Sequence, residues 1–387
     1  MTEPTRGFSQ TEFEARTGLT QQLMHAANLD AILVTTEAEI RYYTGFHTQF
    51  FESPTRPWFL VIPAEGKPIA VIPAIGETGM CATWIDDVHT WPSPRPSDDG
   101  ISLLTNVIDT LSSRFGRVGM PLGPESILRM PAADAQTLAQ NLSSDVVDCA
   151  ELLLQQRFVK SPAEIEKIRH VCQITSSAFE ALPRFAEIGH SELDITKRMR
   201  IDLLERGADN TPFMVAGSGP GGYDSIIMGP TSRIPESGDV LIIDTGTVFD
   251  GYFCDFDRNF GFGHVANDTA RANDAIHQAL DAGFEAARPG AKMRDVWSAM
   301  WKIMEDAGAL GNSIGRMGHG LGMLLTEWPS VHPDDQRVLE PGVVMTLEPG
   351  MTFEPGRQLV HEENIVITEN GAEYLTRRAP PEIPVIQ

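Results

Sequence analysis

Positive charge is what this chain is short of. It carries 30 lysines and arginines against 53 aspartates and glutamates, for a net charge of −23, and its pI is near 4.8. Nucleic acid and anionic membranes both require a basic face, so neither is expected as a partner. Cysteine is scarce too. The four thiols, Cys81, Cys149, Cys172 and Cys254, are scattered without metal-type or redox-type spacing, which points to free or buried thiols in a reducing cytoplasm. Cys254 abuts Asp255, but thiolates suit softer sites than carboxylates build, and it is given no ligand role. No apolar run is long enough to span a bilayer. The opening MTEPTRGFSQTEFEARTG lacks the apolar segment of a secretory signal. A cytoplasmic protein is the expectation.

What is present is an ordinary globular composition, 42% hydrophobic and 21% charged, over 387 residues, enough for two domains. In the first half, residues 12–28 carry a helical pattern and 29–35 read as a strand. Residues 58–62 and 69–72 read as further strands, 100–115 as a helix and 116–120 as a strand. Between them Tyr42, Tyr43, Phe46, Phe50, Phe51 and Trp58 cluster around Gly45, Pro54 and Pro57. Strands alternating with helices predict a mixed α/β (α+β) architecture. A boundary is expected after residue 158, giving domains 1–158 and 159–387. Just beyond it Ser161-Pro-Ala-Glu164 is a capping box with Pro at the first helical position, and Ile165, Ile168, Cys172, Ile174 and Phe179 mark the buried stripe of a long helix. Later helices are expected over 191–207, 268–287 and 293–307. Residues 217–222 fit GxGxxG, but no helix can follow directly, so a dinucleotide site is rejected and a loop expected there.

The second half is organised by residues 240–258, VLIIDTGTVFDGYFCDFDR. Four apolar residues drive into Asp244, Asp250-Gly251 supplies a hairpin turn, and Asp255 returns beside Asp244. Two buried carboxylates facing each other are costly unless they share a proton or hold a cation. Capping aspartates at the surface are the competing reading. Three more stretches add potential ligands: Met317-Gly-His319-Gly, Thr346-Leu-Glu348-Pro-Gly, and His361-Glu362-Glu363-Asn ahead of the strand that ends at Thr368. Together, two Asp, one His and two Glu form an oxygen-rich set whose negative charge suits a pair of divalent cations with shared ligands.

Through these motifs the whole chain resembles the pita-bread metallopeptidase superfamily, which includes methionine aminopeptidase, aminopeptidase P, prolidase and creatinase. ILVTTEAEIRYYTGF resembles the creatinase-type N-terminal domain, and RFVKSPAEIEKIR its junction with the catalytic half. The resemblance implies that Asp244 chelates one metal, His319 and Glu348 bind the other, and Asp255 and Glu362 bridge, the spacing to Thr368 selecting Glu362 over Glu363. Manganese comes first among the metals, with iron, cobalt or zinc as alternatives. Glu348 is the candidate for passing the proton to the leaving group. The implied activity is hydrolysis of a small amide or short peptide of the Xaa-Pro type by a homodimer.

The departures are specific. Ile227 or Met228 stands where such peptidases carry a histidine, and Thr326 replaces a second one, ahead of Glu327 and Trp328. Losing donors of this kind costs orders of magnitude when a substrate needs them. Asp257 replaces a small hydroxyl residue; it is expected to pair with Arg258, with stronger cation binding as the competing reading. His332 and His361 are expected at the surface, with replacement of the lost imidazoles as the competing reading. Phe51, Trp58, Met228, Thr326 and Trp328 are the candidate substrate contacts. Phe50, Phe51 and Trp58 mark where an N-terminal domain would close a partner's site, with ordinary core as the competing reading. Two other functions stay open: a family member acting on an osmolyte, either as a creatinase-like hydrolase or as a dimethylsulfoniopropionate-type lyase using aromatic contacts to an onium group, and an inactive scaffold.

Overall fold

The structure, a computed structural model, describes residues 3–311 and 315–387. The chain forms two compact units, Thr5–Gln156 and Arg157–Gln387.

In the first unit, α1 (Gln10–Ala27) starts on Ser9, whose side chain accepts the Glu12 N–H, and stops at Asn28, which takes the left-handed conformation. It is followed by β1 (Ala31–Val34), α2 (Glu37–Thr44), β2 (Phe59–Pro63), β3 (Ile69–Pro73), α3 (Glu77–Met80), β4 (Asp87–Trp91), α4 (Ile101–Asp109), β5 (Arg117–Met120), α5 (Ala132–Asn141), β6 (Asp145–Asp148) and α6 (Ala150–Phe158). One mixed sheet results, in the order β4-β3-β2-β1-β5-β6. Its central strand AILV is buried throughout, as a strand covered on both faces must be. Two elements differ from expectation. The helix predicted over 100–115 stops at Asp109, because the backbone N–H groups of Arg114, Phe115, Gly116 and Arg117 all donate to the Asp30 carboxylate and hold that stretch as a turn. Helix α2 lies where the sequence shows only an aromatic cluster. A capping box between Thr36 and Glu39 starts it, and Gly45 in the left-handed region ends it.

The second unit opens with α7 (Pro162–Ala181) and α8 (Glu192–Glu205), each started by a capping box, Ser161 with Glu164 and Ser191 with Asp194. Strands β7 (Asn210–Pro220), β8 (Asp239–Phe249), β9 (Tyr252–Phe253) and β10 (Phe256–Phe262) lead to α9 (Asn267–Ala286) and α10 (Met293–Asp306). The remainder is β11 (His319–Gly320), β12 (Glu327–Ser330), β13 (Val344–Leu347), β14 (Gly350–Glu354), β15 (Arg357–Val360), β16 (Glu363–Thr368), β17 (Gly371–Tyr374) and β18 (Val385–Ile386). One sheet runs β18-β10-β8-β7 with β9 on β8, a second runs β12-β11-β13-β16-β17, and β14 pairs with β15. Helices α7 and α8 pack on β8 and β7, while α9 packs on α10 and on β13 to β15. Ile276, Leu280, Val296 and Met300 meet Met345, Leu347, Ile365 and Ile367 in one core, and burying side chains of this size contributes about 1.5–3 kcal/mol each. Gly217 and Gly219 lie in β7, opposite Ile242 and Val240, so the first half of the expected glycine loop is strand, while Gly221, with φ 66°, and Gly222 form a turn beyond it. Among the described residues, no helix is long and apolar enough to cross a membrane.

Candidate metal centre

The hairpin forms where the sequence places it: Asp250 and Gly251 both take positive φ, 49° and 84°, as a tight two-residue turn between right-twisted strands requires. The register, however, is two residues from the simplest expectation. Asp244 in β8 lies opposite Asp257, not Asp255. Asp255 falls in the break between β9 and β10, where its N–H donates to Asn364 Oδ1 at 3.0 Å and its carbonyl accepts from the same amide. Because directly opposed residues share a face and side chains alternate along a strand, Asp244 and Asp257 share a face and Arg258 takes the other.

His319 is held in a narrow slot. A Cβ on Gly318 would run into the Thr346 carbonyl, and one on Gly320 into that of Trp328. The flanking glycines therefore let β11 pass between β12 and β13. The His319 N–H donates to Thr346 Oγ1 at 3.1 Å, and its Nδ1 lies 2.9 Å from the Gly320 carbonyl. A proton on Nδ1 leaves the Nε2 lone pair directed at Asp255 Oδ2, 3.4 Å away, so two acceptors face each other. Glu348 leaves the end of β13 and Glu362 enters β16, where the last register pair is Leu347 with Glu363. Their carboxylates therefore project side by side.

Asp255, His319 and Glu362 are buried and bring one ligand atom each within 4.8 Å of one another. Asp244 and Glu348 are half-buried and give the cluster its more open side. Burial first, then the charges of Asp255, Asp257 and Glu348, push Asp244 well above the usual carboxylate range. Burial and then Asp255, Glu348 and Asp244 do the same to Glu362. Glu348 is pushed up to about 7, mainly by burial, against the pull of His319. Asp244 Oδ1, Asp255 Oδ1 and Glu362 Oε1 are buried without a hydrogen-bond partner. Buried carboxylate oxygens of this kind require a proton or a cation. Hard oxygens with one imidazole suit a divalent metal, and the donor set fits one.

Other expectations are corrected. Arg258 does not pair with the Asp257 carboxylate; it donates to the Asp257 carbonyl and to Glu363 Oε2, 2.9 Å away. His361 is not at the surface. It is buried, its Nδ1 3.8 Å from Asp257 Oδ1 and its Nε2 3.2 Å from Glu363 Oε1, with its ring stacked on His277. Trp58 is 1% exposed and packs against Phe46 and Phe51 at 5.4 Å. Trp58 and the buried Phe51 are therefore core of their own unit, with no free ring face for a substrate, and only Phe50 is exposed. The Trp328 ring lies under the Arg337 guanidinium, 3.5 Å from its centroid. Met228 and Thr326 are exposed.

Some residues of the site escaped sequence reading. Asn364 clamps the Asp255 backbone, and Arg316 reaches Thr326 Oγ1 at 3.4 Å while its charge acts on Glu348. Glu327 is buried against Lys160 at 3.0 Å and Arg157 at 3.6 Å. Asn364 follows two glutamates and Lys160 precedes a capping box, but neither signal names a distant partner.

A family model described as metallopeptidase family M24 matches residues 166–369, and one for the creatinase/prolidase N-terminal domain matches 16–159. The chain is 28% identical to a Mycobacterium tuberculosis protein named "Probable dipeptidase PepE", over 99% of both chains. It is 24% identical to an Xaa-Pro dipeptidase of Lactobacillus delbrueckii, over 92% of this chain and 95% of that one. The crystal structure of dipeptidase PepE from Mycobacterium ulcerans superposes with a TM-score of 0.85 at 25% identity, covering 98% of this chain and 99% of that one. A prolidase from Thermococcus sibiricus shares the fold, with a TM-score of 0.86 at 21% identity, over 97% of this chain and 100% of that one.

Proposed function

The chain belongs to metallopeptidase family M24, and from that premise we propose that it is a metal-dependent hydrolase of short peptides, with Xaa-Pro dipeptides the first substrates to try. The observation that carries this reading is that Asp255, His319 and Glu362 bring ligand atoms within 4.8 Å of one another, with unpartnered buried carboxylate oxygens on Asp244, Asp255 and Glu362. In the proposed mechanism these five residues hold two divalent cations, manganese first. When bound, such a pair supplies Lewis acidity, lowering the pKa of a water and polarising the carbonyl to be attacked.

The chain's own groups do the rest. Glu348, half-buried on the open side of the cluster, is placed to take a proton from the attacking water and return it to the leaving nitrogen. His319 keeps Nε2 free for ligation through its Nδ1 contact with the Gly320 carbonyl. Asn364 fixes the backbone that carries Asp255. Arg316, beside Thr326 and Glu348, offers a cation for the free carboxylate of a dipeptide. Met228 and Thr326 bring no imidazole, so carbonyl and carboxylate recognition falls to this arginine and the metals. The onium-substrate alternative loses its aromatic support, because Trp58 is core and the Trp328 face is already covered.

Manganese-loaded protein should hydrolyse at least one dipeptide in a panel that includes Xaa-Pro, and a chelator should abolish the activity. A loaded protein that cleaves none of them would sink the reading.

A further inference from the structure

Asp257 is 1% exposed, and its Oδ1 has no hydrogen-bond partner. A buried carboxylate in that state is either paired or destabilising. Arg258 eases this burial by its charge but makes no direct contact with the carboxylate: it lies on the other face of β10, and its guanidinium donates to Glu363 and to the carbonyls of Asp257, Glu362 and Arg377. Among the described residues, the ionisable side-chain nitrogen within 4 Å is His361 Nδ1, 3.8 Å from Oδ1 and beyond hydrogen-bond reach. His361 already has Glu363 Oε1 3.2 Å from its other nitrogen.

What Asp257 does face is the cluster. It is the register partner of Asp244, and directly opposed residues share a face of the sheet. Its charge bears on both Asp244 and Glu362. We propose that the Asp257 carboxylate takes part in holding the divalent cation at Asp244, as a cation-binding acid beyond the five-residue set. With it the centre offers five carboxylates and one imidazole, so even two divalent cations leave a residual negative charge. Such a site should hold its metals tightly and be poorly stable without them.

This inference rests on the metal-centre reading, and binding measurements separate the two without using activity. The full chain, stripped with a chelator, is titrated calorimetrically with manganese alongside Asp257→Asn and Asp257→Ser. Its metal-free melting temperature is recorded as well. The Asn variant keeps an oxygen to accept the Glu362 N–H that bonds Asp257, while it removes the charge and exchanges the other oxygen for an amide donor. Wild type should bind manganese, both variants should bind at least one ion about 10–100-fold more weakly, and their metal-free melting temperatures should equal or exceed that of wild type. If wild type binds and the variants bind equally well, Asp257 is not a cation-binding group while the five-residue centre stands. Weaker binding together with a lower metal-free melting temperature in both variants would make Asp257 structural and overturn the inference. If wild type binds no metal at all, the centre itself fails and the inference fails with it.

Discussion

Glu362 and Glu363 are chain neighbours and equally buried, at 1% and 0% exposure, yet their surroundings are opposite. Glu363 is met by Arg258, by the Thr376 hydroxyl, by the Ala379 N–H at 3.0 Å and by His361. Burial alone would raise its pKa, but Arg258 and then His361 bring it down to about 2. Glu362, on the other face, meets Asp255, Glu348, Asp244 and Asp257, and is pushed far up. Glu327 belongs with Glu363: burial is outweighed by Lys160 and Arg157, and its pKa falls. Burial therefore does not distinguish a structural acid from one that awaits a cation. The sign of the neighbouring charge does.

Removing one acid of each kind should separate them most sharply. Glu362→Gln should cost on the order of 10³-fold in kcat/KM of the metal-loaded protein, because it removes a shared ligand, and leave the metal-free melting temperature equal or higher. Glu363→Gln should do the reverse. It strands a buried Arg258, at a cost of about 3–5 kcal/mol, read as a melting temperature lower by roughly 10 °C. Similar stability losses in both variants would end the distinction.

The same contrast appears with pH as two limbs of opposite sign. Glu348 in the metal-free chain has a folded pKa of about 7 against 4.5 for the ordinary group. The folded form thus binds more protons between these values, and stability falls as pH rises from 4.5 to 7. Glu363 has a folded pKa of about 2 against 4.5. Its stabilisation is fully present above 4.5 and is lost as pH falls towards 2. Urea midpoints of chelator-treated protein should therefore peak near the acid side of neutrality. Metal loading should erase the upper limb, since ligation keeps those carboxylates ionised. A single limb in the metal-free chain would count against the unpaired cluster.

An exposed pair sets the lower end of the scale. Arg206 and Asp202 sit one turn apart on the end of α8, 2.5 Å from each other and partly open to water. Arg206→Met should cost only about 0.3–0.5 kcal/mol, near 1 °C in melting temperature, and a loss comparable to that of Glu363→Gln would break the link between burial and pairing energy.

Much of the local structure was legible in the chain. Ser161-Pro-Ala-Glu164 and Ser191 with Asp194 start helices through short-range hydrogen bonds that any reader of the sequence can draw. Asp250-Gly251 marks its turn because both positions need positive φ. Asp244, Asp255, His319, Glu348 and Glu362 could be singled out as candidates from their glycine and strand settings. Less visible was α2, whose aromatic residues hid a capping box. Adjacency in the chain pairs Asp257 with Arg258, whereas strand alternation separates them, and no local signal shows that His361 is buried and stacked on His277.

The sequence by itself determined where helices begin, where the hairpin turns and which acids sit in apolar surroundings, because those depend on interactions within a few residues. Only the tertiary structure decided which acids find a cation of their own. Arg258 reaches Glu363 across 105 positions of chain, and Lys160 reaches Glu327 across 167. Such pairings depend on which sheet face packs against which. No local pattern carries that information, since a glutamate on either face of a buried strand is written with the same letter.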